Sequence, residues 1–298
     1  MGTPAFAVPS LRILVENGFE VVGVITAPDK PRGRGKKLAT SAVKDYALEA
    51  GLNILQPTNL KNPEFQQELR DLKADLQVVV AFRMLPEAVW NMPPIGTFNL
   101  HGSLLPQYRG AAPINWALMN GETETGVTTF FLKHEIDTGS IIFQDKEPIS
   151  YDDNVGSVYE RLMVRGAALV LKTVQAIDQG DYPSMPQDES GELKAAPKIF
   201  RETCEIDWTR TASEVRNHVR GLSPYPAAWT TFQDKNLKVY ACEVSQEASK
   251  GALGEITTDW KTFLRVATGE GTLELTEVQL EGKKRMPTPD MLRGLNPS

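Results

Sequence analysis

Cysteine and histidine are both scarce in this sequence. Its 298 residues include two cysteines, Cys204 and Cys242, and three histidines. The cysteines lack the C-x-x-C spacing of zinc and redox motifs, so we expect neither a disulfide framework nor a metal site. Three histidines leave few candidates for proton transfer near neutral pH.

Long apolar runs are absent as well. No stretch approaches the roughly 18 apolar residues of a membrane-spanning helix, and the N-terminus lacks the basic and apolar regions of a signal peptide. We therefore expect a cytoplasmic protein that does not associate with membranes. The net charge of −6 argues against indiscriminate nucleic-acid binding, because such binding needs Lys and Arg to neutralise phosphates. An RNA partner would have to bind local basic patches.

The order of apolar segments predicts an α/β fold for residues 1–180. Helix-like and strand-like segments alternate there, which is typical of a parallel-rich sheet covered by helices. The main predicted helices are 9–17, 113–119 and 154–178, and the predicted strands are 19–25, 76–82, 97–101, 126–132 and 140–143. A doubly wound domain should open with a strand, but Met1-Gly2-Thr3-Pro4 reads as the loop that follows one. We therefore expect a further strand before Met1.

A change of composition separates this region from the rest of the chain. Between Gly180 and Pro197, small and polar residues replace large apolar ones, which predicts an interdomain linker that we place at 181–203. Beyond it we predict a helix at 213–220 and strands at 228–232, 237–244, 254–256, 263–267 and 271–278. Short strands at this spacing favour a small β-barrel at 204–298, for which the oligonucleotide-binding fold is a candidate.

The densest group of polar side chains lies in the segment FNLHGSLLP at 98–106. Alternation along a strand puts Asn99 and His101 on the same side, at the carboxyl end where open α/β sheets bind ligands. The two side chains could serve catalysis or simply satisfy buried hydrogen bonds. The turn EIDTG at 135–139 could return Asp137 to the same edge, although Asp before Thr-Gly is also typical of an ordinary turn.

Taken together, these segments resemble the methionyl-tRNA formyltransferase family. The resemblance runs almost end to end and rests on N-x-H-x-S-L-L-P at 99–106, YRGAAPIN at 108–115, GVTT at 126–129 and IDTG at 136–139. It implies a Rossmann-like formyltransferase domain followed by a barrel of the oligonucleotide-binding type. The implied reaction transfers the formyl group of 10-formyltetrahydrofolate to the α-amino group of methionyl-initiator tRNA. Asn99, His101 and Asp137 match the family's catalytic trio.

The chemistry of this reaction requires such residues. An amine attacking a formamide forms a tetrahedral intermediate with a negatively charged oxygen, and a hydrogen-bond donor aimed at that oxygen lowers the barrier. We assign this role to Asn99, assisted by protonated His101. The nucleophile must also lose a proton, and the leaving folate nitrogen must gain one. Asp137 would hold a water and interact favourably with the charged form of His101.

The resemblance also implies binding residues for folate and for the methionyl acceptor. Folate contacts are expected from Phe82, Arg83, Met84 and Leu85, which match the pterin pocket, and from His134, Glu135 and Ile136 in the loop that reads the pterin edge. Phe82-Arg83 departs from the Tyr-Gly of many members, which puts one pocket wall in doubt. Acceptor contacts are expected from Ser103, Leu104, Leu105 and Pro106, and from Phe6 for the methionyl side chain.

The segment DKPRGRGKK at 29–37 carries five positive charges among glycines and a proline. This composition predicts a mobile surface loop, and it resembles the family loop that inserts into the tRNA acceptor stem. Its candidate phosphate contacts, with Arg34 first, are Lys30, Arg32, Arg34, Lys36 and Lys37. A second basic patch is Lys283-Lys284-Arg285. Neither a P-loop nor a G-x-G-x-x-G pattern is present, so we do not expect NAD or FAD.

Two other functions remain open at this point. A folate-dependent formyltransferase for an amino sugar nucleotide or another small amine would share the catalytic trio, but it would not require the basic loop or the second domain. A non-catalytic tRNA-binding protein would share the scaffold, but it would not be expected to retain the whole trio. For the formyltransferase that the resemblance implies, we expect a monomer that binds no metal.

Overall fold

The computed structural model describes residues 1–32, 37–247 and 251–295, with only the backbone described for Arg32 and Lys37. The chain forms two compact units. The first comprises residues 1–110, 126–147 and 159–195, and the second comprises residues 111–125, 148–158 and 196–298. None of the helices in the described part of the chain is long and apolar enough to cross a membrane.

Helices and strands are numbered in chain order. The helices are α1 (Val8–Glu16), α2 (Ala42–Glu49), α3 (Pro63–Asp71), α4 (Glu87–Trp90), α5 (Pro113–Met119), α6 (Val155–Asp178), α7 (Ala212–Leu222) and α8 (Thr288–Arg293). The strands are β1 (Val24–Ile25), β2 (Lys30–Arg32), β3 (Lys37–Ala39), β4 (Ile54–Leu55), β5 (Leu76–Val80), β6 (Gly96–His101), β7 (Arg109–Gly110), β8 (Glu124–Phe131), β9 (Ile141–Pro148), β10 (Ala195–Ala196), β11 (Ala228–Phe232), β12 (Lys235–Ser245), β13 (Ile256–Thr258), β14 (Leu264–Ala267), β15 (Thr272–Leu280) and β16 (Met286–Pro287).

Parallel strand pairs form the centre of the first unit, as the alternating pattern predicts. Strand β1 pairs in parallel with β4, and β5 pairs in parallel with β6. Strand β8 runs antiparallel to β6, and β9 pairs with β8, so the larger sheet has the order β5-β6-β8-β9. The Rossmann-like assignment of this domain is confirmed, with a sheet that is parallel on one side of β6 and antiparallel on the other.

Met1 and Gly2 lie between the edges of β1 and β5. The Met1 nitrogen donates to the Val78 carbonyl at 2.6 Å, and the Gly2 N–H donates to the Ile25 carbonyl at 3.1 Å. Residues 19–23 line an adjacent cavity of about 550 Å³. The predicted strand 19–25 is regular only over β1, because residues 19–23 face this cavity instead of a paired strand. The expectation of a strand before Met1 stays a prediction.

The helices that were predicted from apolar spacing are confirmed. Helix α5 has the predicted bounds, with Pro113 at its first position and Gly121 in the left-handed region just past its end. Helix α6 begins one residue later than predicted, and its apolar face includes Val158, Leu162 and Val170, which are fully buried. Helical periodicity therefore identified both the element and its buried face.

Residues 181–194, which were predicted as linker, are bonded to the first unit. Met185 and Ile141 exchange two backbone hydrogen bonds of 2.7 and 2.9 Å, and the Tyr108 N–H donates to the Lys194 carbonyl at 2.6 Å. Composition does not reveal these attachments, because backbone groups and polar side chains provide them in place of a large apolar side chain. The proposed boundaries, 1–180, 181–203 and 204–298, stay predictions.

The second unit is built on an antiparallel sheet and α7. In the described residues the sheet has the order β11-β12-β15-β14-β13, with β16 paired to β15. A capping box of Thr211 and Glu214 begins α7, and Val215, Val219 and Leu222 pack into the core beneath the sheet. The predicted helix and strands of this region are all present, with bounds that differ by a few residues.

Candidate active site

Strand β6 positions Asn99 and His101. It pairs with β5 on one side and with β8 on the other, so that Asn99 lies opposite both Val79 and Phe130. A strand bonded on both sides has little freedom to shift, which holds the backbone of the two residues in place. The site is thus built from an inner strand of the sheet, at the carboxyl end that the sequence indicated.

The imidazole of His101 is oriented by one backbone group. The ring is 6% exposed, and its Nε2 lies 2.8 Å from the carbonyl oxygen of Tyr108. Because a carbonyl only accepts hydrogen bonds, Nε2 must carry a hydrogen in both charge states of the ring. Nδ1 is then the nitrogen that can gain or lose a proton. It faces Asp137, with 3.8 Å between Nδ1 and Oδ2.

Asp137 reaches this position through an unusual turn. Its φ of 56° lies in the left-handed region that non-glycine residues seldom adopt. The Gly110 N–H donates to Oδ2 at 3.0 Å, and the Asp137 side chain is 12% exposed. Residues in such a conformation are often found at functional sites, where their surroundings hold them. The structure therefore brings Asp137 beside His101, as the EIDTG segment suggested.

The Asn99 carboxamide is unpaired within the part of the chain that the structure describes. Its side chain is half-buried at the end of β6, and no described group within hydrogen-bonding distance donates to it or accepts from it. An amide N–H without a partner at the rim of a sheet can donate to a ligand oxygen without first breaking a bond within the protein. This is the property that a donor for a developing oxyanion requires.

Two backbone groups that the sequence did not indicate help to position the side chains of the site. The Tyr108 carbonyl orients His101, and the Gly110 N–H binds Asp137. Tyr108 has a φ of 60°, and Gly110 has a φ of 126°. Gly110 was the one feature of the sequence that could have indicated these contacts, because a glycine permits a backbone conformation that other residues avoid.

Most groups of the turn Ser103 to Pro106 are buried or hydrogen-bonded within the protein. Ser103 is buried, and its hydroxyl donates to the Gln107 carbonyl at 2.6 Å. Thr128 donates to the Ser103 carbonyl at 2.7 Å, and Leu105 is buried against Phe130. Leu104 and Pro106 are the partly exposed members of this turn. The turn therefore leaves few atoms for contact with an acceptor.

The second segment predicted to bind folate contacts helix α4, which closely follows the first predicted segment in the chain. His134 pairs with Glu87 at 3.3 Å and meets the Trp90 ring edge-on at 5.5 Å, which joins the loop of residues 133–137 to α4. Met84 is 73% exposed and Ile136 is 58% exposed. Exposed apolar side chains on neighbouring loops suit a flat heterocycle.

Other members of the first predicted folate segment have partners within the protein. Leu85 is buried in the core with Val89, and Phe82 packs against that core. The Arg83 guanidinium donates to the carbonyls of Pro57 and Thr58 and lies 5.6 Å from the Phe82 ring. The Arg83 side chain thus folds back onto the preceding loop.

The ends of the basic segment form paired strands instead of the predicted loop. Strands β2 and β3 are antiparallel, with Lys30 opposite Ala39, because residues on both sides of the glycines can form ladder hydrogen bonds. Asp29 precedes them and accepts hydrogen bonds from Lys44 (2.6 Å) and Gln56 (2.9 Å), which lower the pKa of Asp29. Arg34 and Lys36, along with the side chains of Arg32 and Lys37, lie outside the described residues.

The remaining candidates for acceptor contact are Phe6 and the second basic patch, residues 283–285. Phe6 is buried, its N–H donates to the Tyr159 hydroxyl at 3.0 Å, and the two rings are 5.1 Å apart. In the second basic patch, Arg285 is paired with Glu277 by two hydrogen bonds of 2.8 and 2.6 Å, whereas Lys283 and Lys284 are exposed.

Family profiles match most of the chain. The profile described as "Formyl transferase" matches residues 1–174, and that described as "Formyl transferase, C-terminal domain" matches residues 198–296. The methionyl-tRNA formyltransferase of Bacteroides fragilis is 57% identical over 304 residues, which cover 99% of this chain and 94% of that protein. The methionyl-tRNA formyltransferase of Parabacteroides distasonis is 56% identical with the same coverage.

A solved structure has a similar fold. It is the N-formyltransferase from Helicobacter canadensis in complex with folinic acid and dTDP-3-aminofucose, with a TM-score of 0.69 and 20% identity. The match covers 96% of this chain and 97% of that chain. At this identity the likeness concerns the fold alone.

Proposed function

The chain belongs to the methionyl-tRNA formyltransferase family, and we propose that Asn99, His101 and Asp137 carry out its formyl transfer from 10-formyltetrahydrofolate. The enzyme formylates methionyl-initiator tRNA with a folate as co-substrate. The observation that carries this function is the 57% identity to a methionyl-tRNA formyltransferase over 99% of the chain. The juxtaposition of His101 and Asp137 supports the proposed assignment of the catalytic trio.

The proposed mechanism follows from the two nitrogens of His101. Nε2 stays bonded to Tyr108, so Nδ1 is the nitrogen that is left to donate to a ligand when the ring is protonated. As the methionyl amine attacks the formyl carbon, a carbon–nitrogen bond forms and the formyl oxygen becomes negatively charged. The Asn99 N–H and protonated Nδ1 donate to this oxygen. Asp137 stabilises the charged imidazole from 3.8 Å.

Proton transfer completes the proposed reaction. The attacking amine loses a proton to a water bound by Asp137. The water passes this proton to the departing folate nitrogen as the bond between that nitrogen and the formyl carbon breaks and the formyl C=O bond forms again. Asp137 has a carboxylate oxygen to accept such a water, since Gly110 supplies the hydrogen bond to Oδ2. No covalent enzyme intermediate is required, because the amine is itself the nucleophile.

We assign the folate to the neighbouring loops that hold Phe82 to Leu85 and His134 to Ile136. Exposed Met84 and Ile136 would contact the flat ring, and Leu85 would support the pocket from the core. The proposal involves no metal, because the amide, the imidazole and the carboxylate supply the required hydrogen bonds.

We assign the tRNA acceptor stem to the basic segment at residues 29–37, with Arg34 as the first contact. Lys30, Arg32, Lys36 and Lys37 would neutralise phosphates, and the exposed Lys283 and Lys284 would do so from the second unit. We further propose that the antiparallel sheet of the second unit is a barrel of the oligonucleotide-binding type. The enzyme would act as a monomer in the cytoplasm, where translation begins.

A sugar nucleotide is the second candidate acceptor, because the structure from Helicobacter canadensis contains dTDP-3-aminofucose. The difference in identity, 20% for that protein against 57% for a methionyl-tRNA formyltransferase, favours the tRNA. A catalytically silent tRNA-binding protein is disfavoured by the retained trio.

The test supplies the purified protein with 10-formyltetrahydrofolate and compares methionyl-initiator tRNA with a dTDP-amino sugar as acceptor. We expect formylmethionyl-tRNA and no formylated sugar. His101→Ala should abolish the product, whereas Asn53→Asp, a change at an exposed residue far along the chain from the trio, should not. Transfer to the sugar alone would contradict the proposed acceptor. Formyl transfer by His101→Ala at the rate of the original protein would contradict the proposed site.

A further inference from the structure

Gln187 lies in the segment that the composition predicted as a linker, yet its side chain reaches the turn of residues 137–139, which carries Asp137. Its Nε2 donates to the backbone carbonyls of Asp137 at 2.7 Å and Gly139 at 2.9 Å. The two acceptors flank Thr138, so one carboxamide spans the turn that carries the catalytic carboxylate. All of these residues belong to the first unit.

Arg109 determines the orientation of that carboxamide. The Gln187 Oε1 accepts from Arg109 Nε at 3.0 Å and from Nη2 at 2.6 Å. A guanidinium can only donate, so the oxygen of the amide must face Arg109 and the nitrogen must face the two carbonyls. A reversed amide would place N–H against N–H and oxygen against oxygen. Glu189 also accepts from Arg109 Nη2 at 2.6 Å, which further holds the guanidinium.

The turn needs such support because of its backbone conformation. Asp137 has a φ of 56°, and a non-glycine residue stays in the left-handed region only where its surroundings hold it there. Gly110, the residue after Arg109, holds the carboxylate through Oδ2, whereas Gln187 holds the backbone on both sides of Thr138. Gly110 thus holds the Asp137 side chain directly, and its neighbour Arg109 holds the backbone of the turn through Gln187.

We propose that Gln187, oriented by Arg109, is a positioning residue that keeps the Asp137 carboxylate beside His101 Nδ1 in formyl transfer. This inference rests on the catalytic role proposed above for Asp137. In this proposal neither Gln187 nor Arg109 contacts the reacting atoms. Both residues affect the reaction indirectly, by holding the turn that carries Asp137.

The first variant is Gln187→Glu, which keeps the length of the side chain and its pairing with Arg109. It removes both N–H donors and places a carboxylate oxygen against the Asp137 and Gly139 carbonyls. Because small displacements of a catalytic group reduce the rate strongly, we expect kcat to fall by about tenfold or more, with a smaller change in KM for tRNA. Gln179→Glu makes the same chemical change at an exposed position after α6 and should retain the original kcat.

A double-mutant cycle separates positioning from a general effect on the fold. In the Asp137→Ala background, Gln187→Glu should cause no further loss of kcat, because the group that it positions is gone. A loss of the same size in both backgrounds would overturn the inference. Should Gln187→Glu fail to fold, Arg109→Lys, which keeps the charge but lacks the paired donors, serves in its place with the same expected coupling.

A measurement that does not depend on catalysis completes the test. Amide hydrogen exchange at residues 137–139 should be faster in Gln187→Glu than in Gln179→Glu, since the turn has lost its support. Unchanged exchange would overturn the inference. If Asp137→Ala retains full kcat, the role proposed for Asp137 fails. The support of the turn by Gln187 would still be established by faster exchange, but the inferred effect on catalysis would be overturned.

Discussion

The Nε2 of His101 donates a hydrogen bond of 2.8 Å to the Tyr108 carbonyl. This bond assigns different tasks to the two ring nitrogens, because Nε2 is committed to the protein and Nδ1 is directed towards Asp137. An imidazole that is held in this way presents the same nitrogen in both of its charge states. The two nitrogens can therefore be tested separately.

His101→Gln keeps a donor near the position of Nε2 but has no titratable group at the position of Nδ1. We expect the variant to fold with the stability of the original protein and to lose about a hundredfold or more in kcat, which is the scale of one acid–base group. Single-turnover formylation and thermal unfolding measure the two properties. A kcat within threefold of the original would show that formyl transfer does not require a donor at Nδ1.

Asn99→Asp replaces an amide donor by a carboxylate of the same shape. Because the carboxylate repels a developing oxyanion, we expect kcat to fall by about a hundredfold or more, the scale of one lost oxyanion donor. Asn53→Asp introduces the same charge at an exposed position and serves as the control. If kcat of both variants equals that of the original enzyme, Asn99 does not stabilise the oxyanion.

Gly139→Ala tests how tightly the turn that carries Asp137 packs on the sheet. A Cβ at Gly139 would lie 1.5 Å from the Phe131 carbonyl oxygen, whereas at Gly191 it would meet no atom within 4 Å. We expect Gly139→Ala to lower the free energy of unfolding by about 3 kcal/mol, as overpacked sites do, and Gly191→Ala to leave it nearly unchanged. Urea denaturation of both variants makes the comparison, and equal midpoints would contradict the packing.

The second unit should lose stability in acid because of His218. Burial lowers the pKa of this histidine below its ordinary 6.5, although a hydrogen bond with the Cys204 backbone acts in the opposite direction. In the described structure its Nε2 is buried without a partner. The unfolded chain therefore binds a proton near pH 6.5 that the folded chain binds only at lower pH, so stability falls as the pH drops below about 6.5.

Denaturation between pH 5 and 8 measures this contribution, which is at most about 1.4 kcal/mol per pH unit for one proton. His218→Asn should flatten the curve below pH 6.5. His134→Asn makes the same chemical change at an exposed histidine, so the comparison of the two variants assigns the change in slope to the buried side chain. An identical pH dependence in both variants and in the original protein would show that His218 does not control it.

Some elements were predictable because their signals are local. The helix 154–178 follows from apolar residues at helical spacing, and α5 follows from Pro113 at its start and Gly121 after its end. Strand β9 extends beyond the predicted 140–143 to Pro148 because its polar end is stabilised by tertiary contacts. Glu147 in that end is buried and pairs with Arg161 and Arg165 of α6. Those ion pairs leave no apolar pattern in the strand itself.

The sequence by itself determined the helices and strands with the most regular apolar patterns, and the placement of Asn99 and His101 together on one strand. Each of these depends on residue types at short, regular spacing. Only the tertiary structure decided which groups surround His101 and Asp137. The Tyr108 carbonyl and the Gly110 N–H belong to the backbone, which is chemically alike at nearly every residue. Gln187 contacts Asp137 across 50 positions of the chain, and folding alone brings them together.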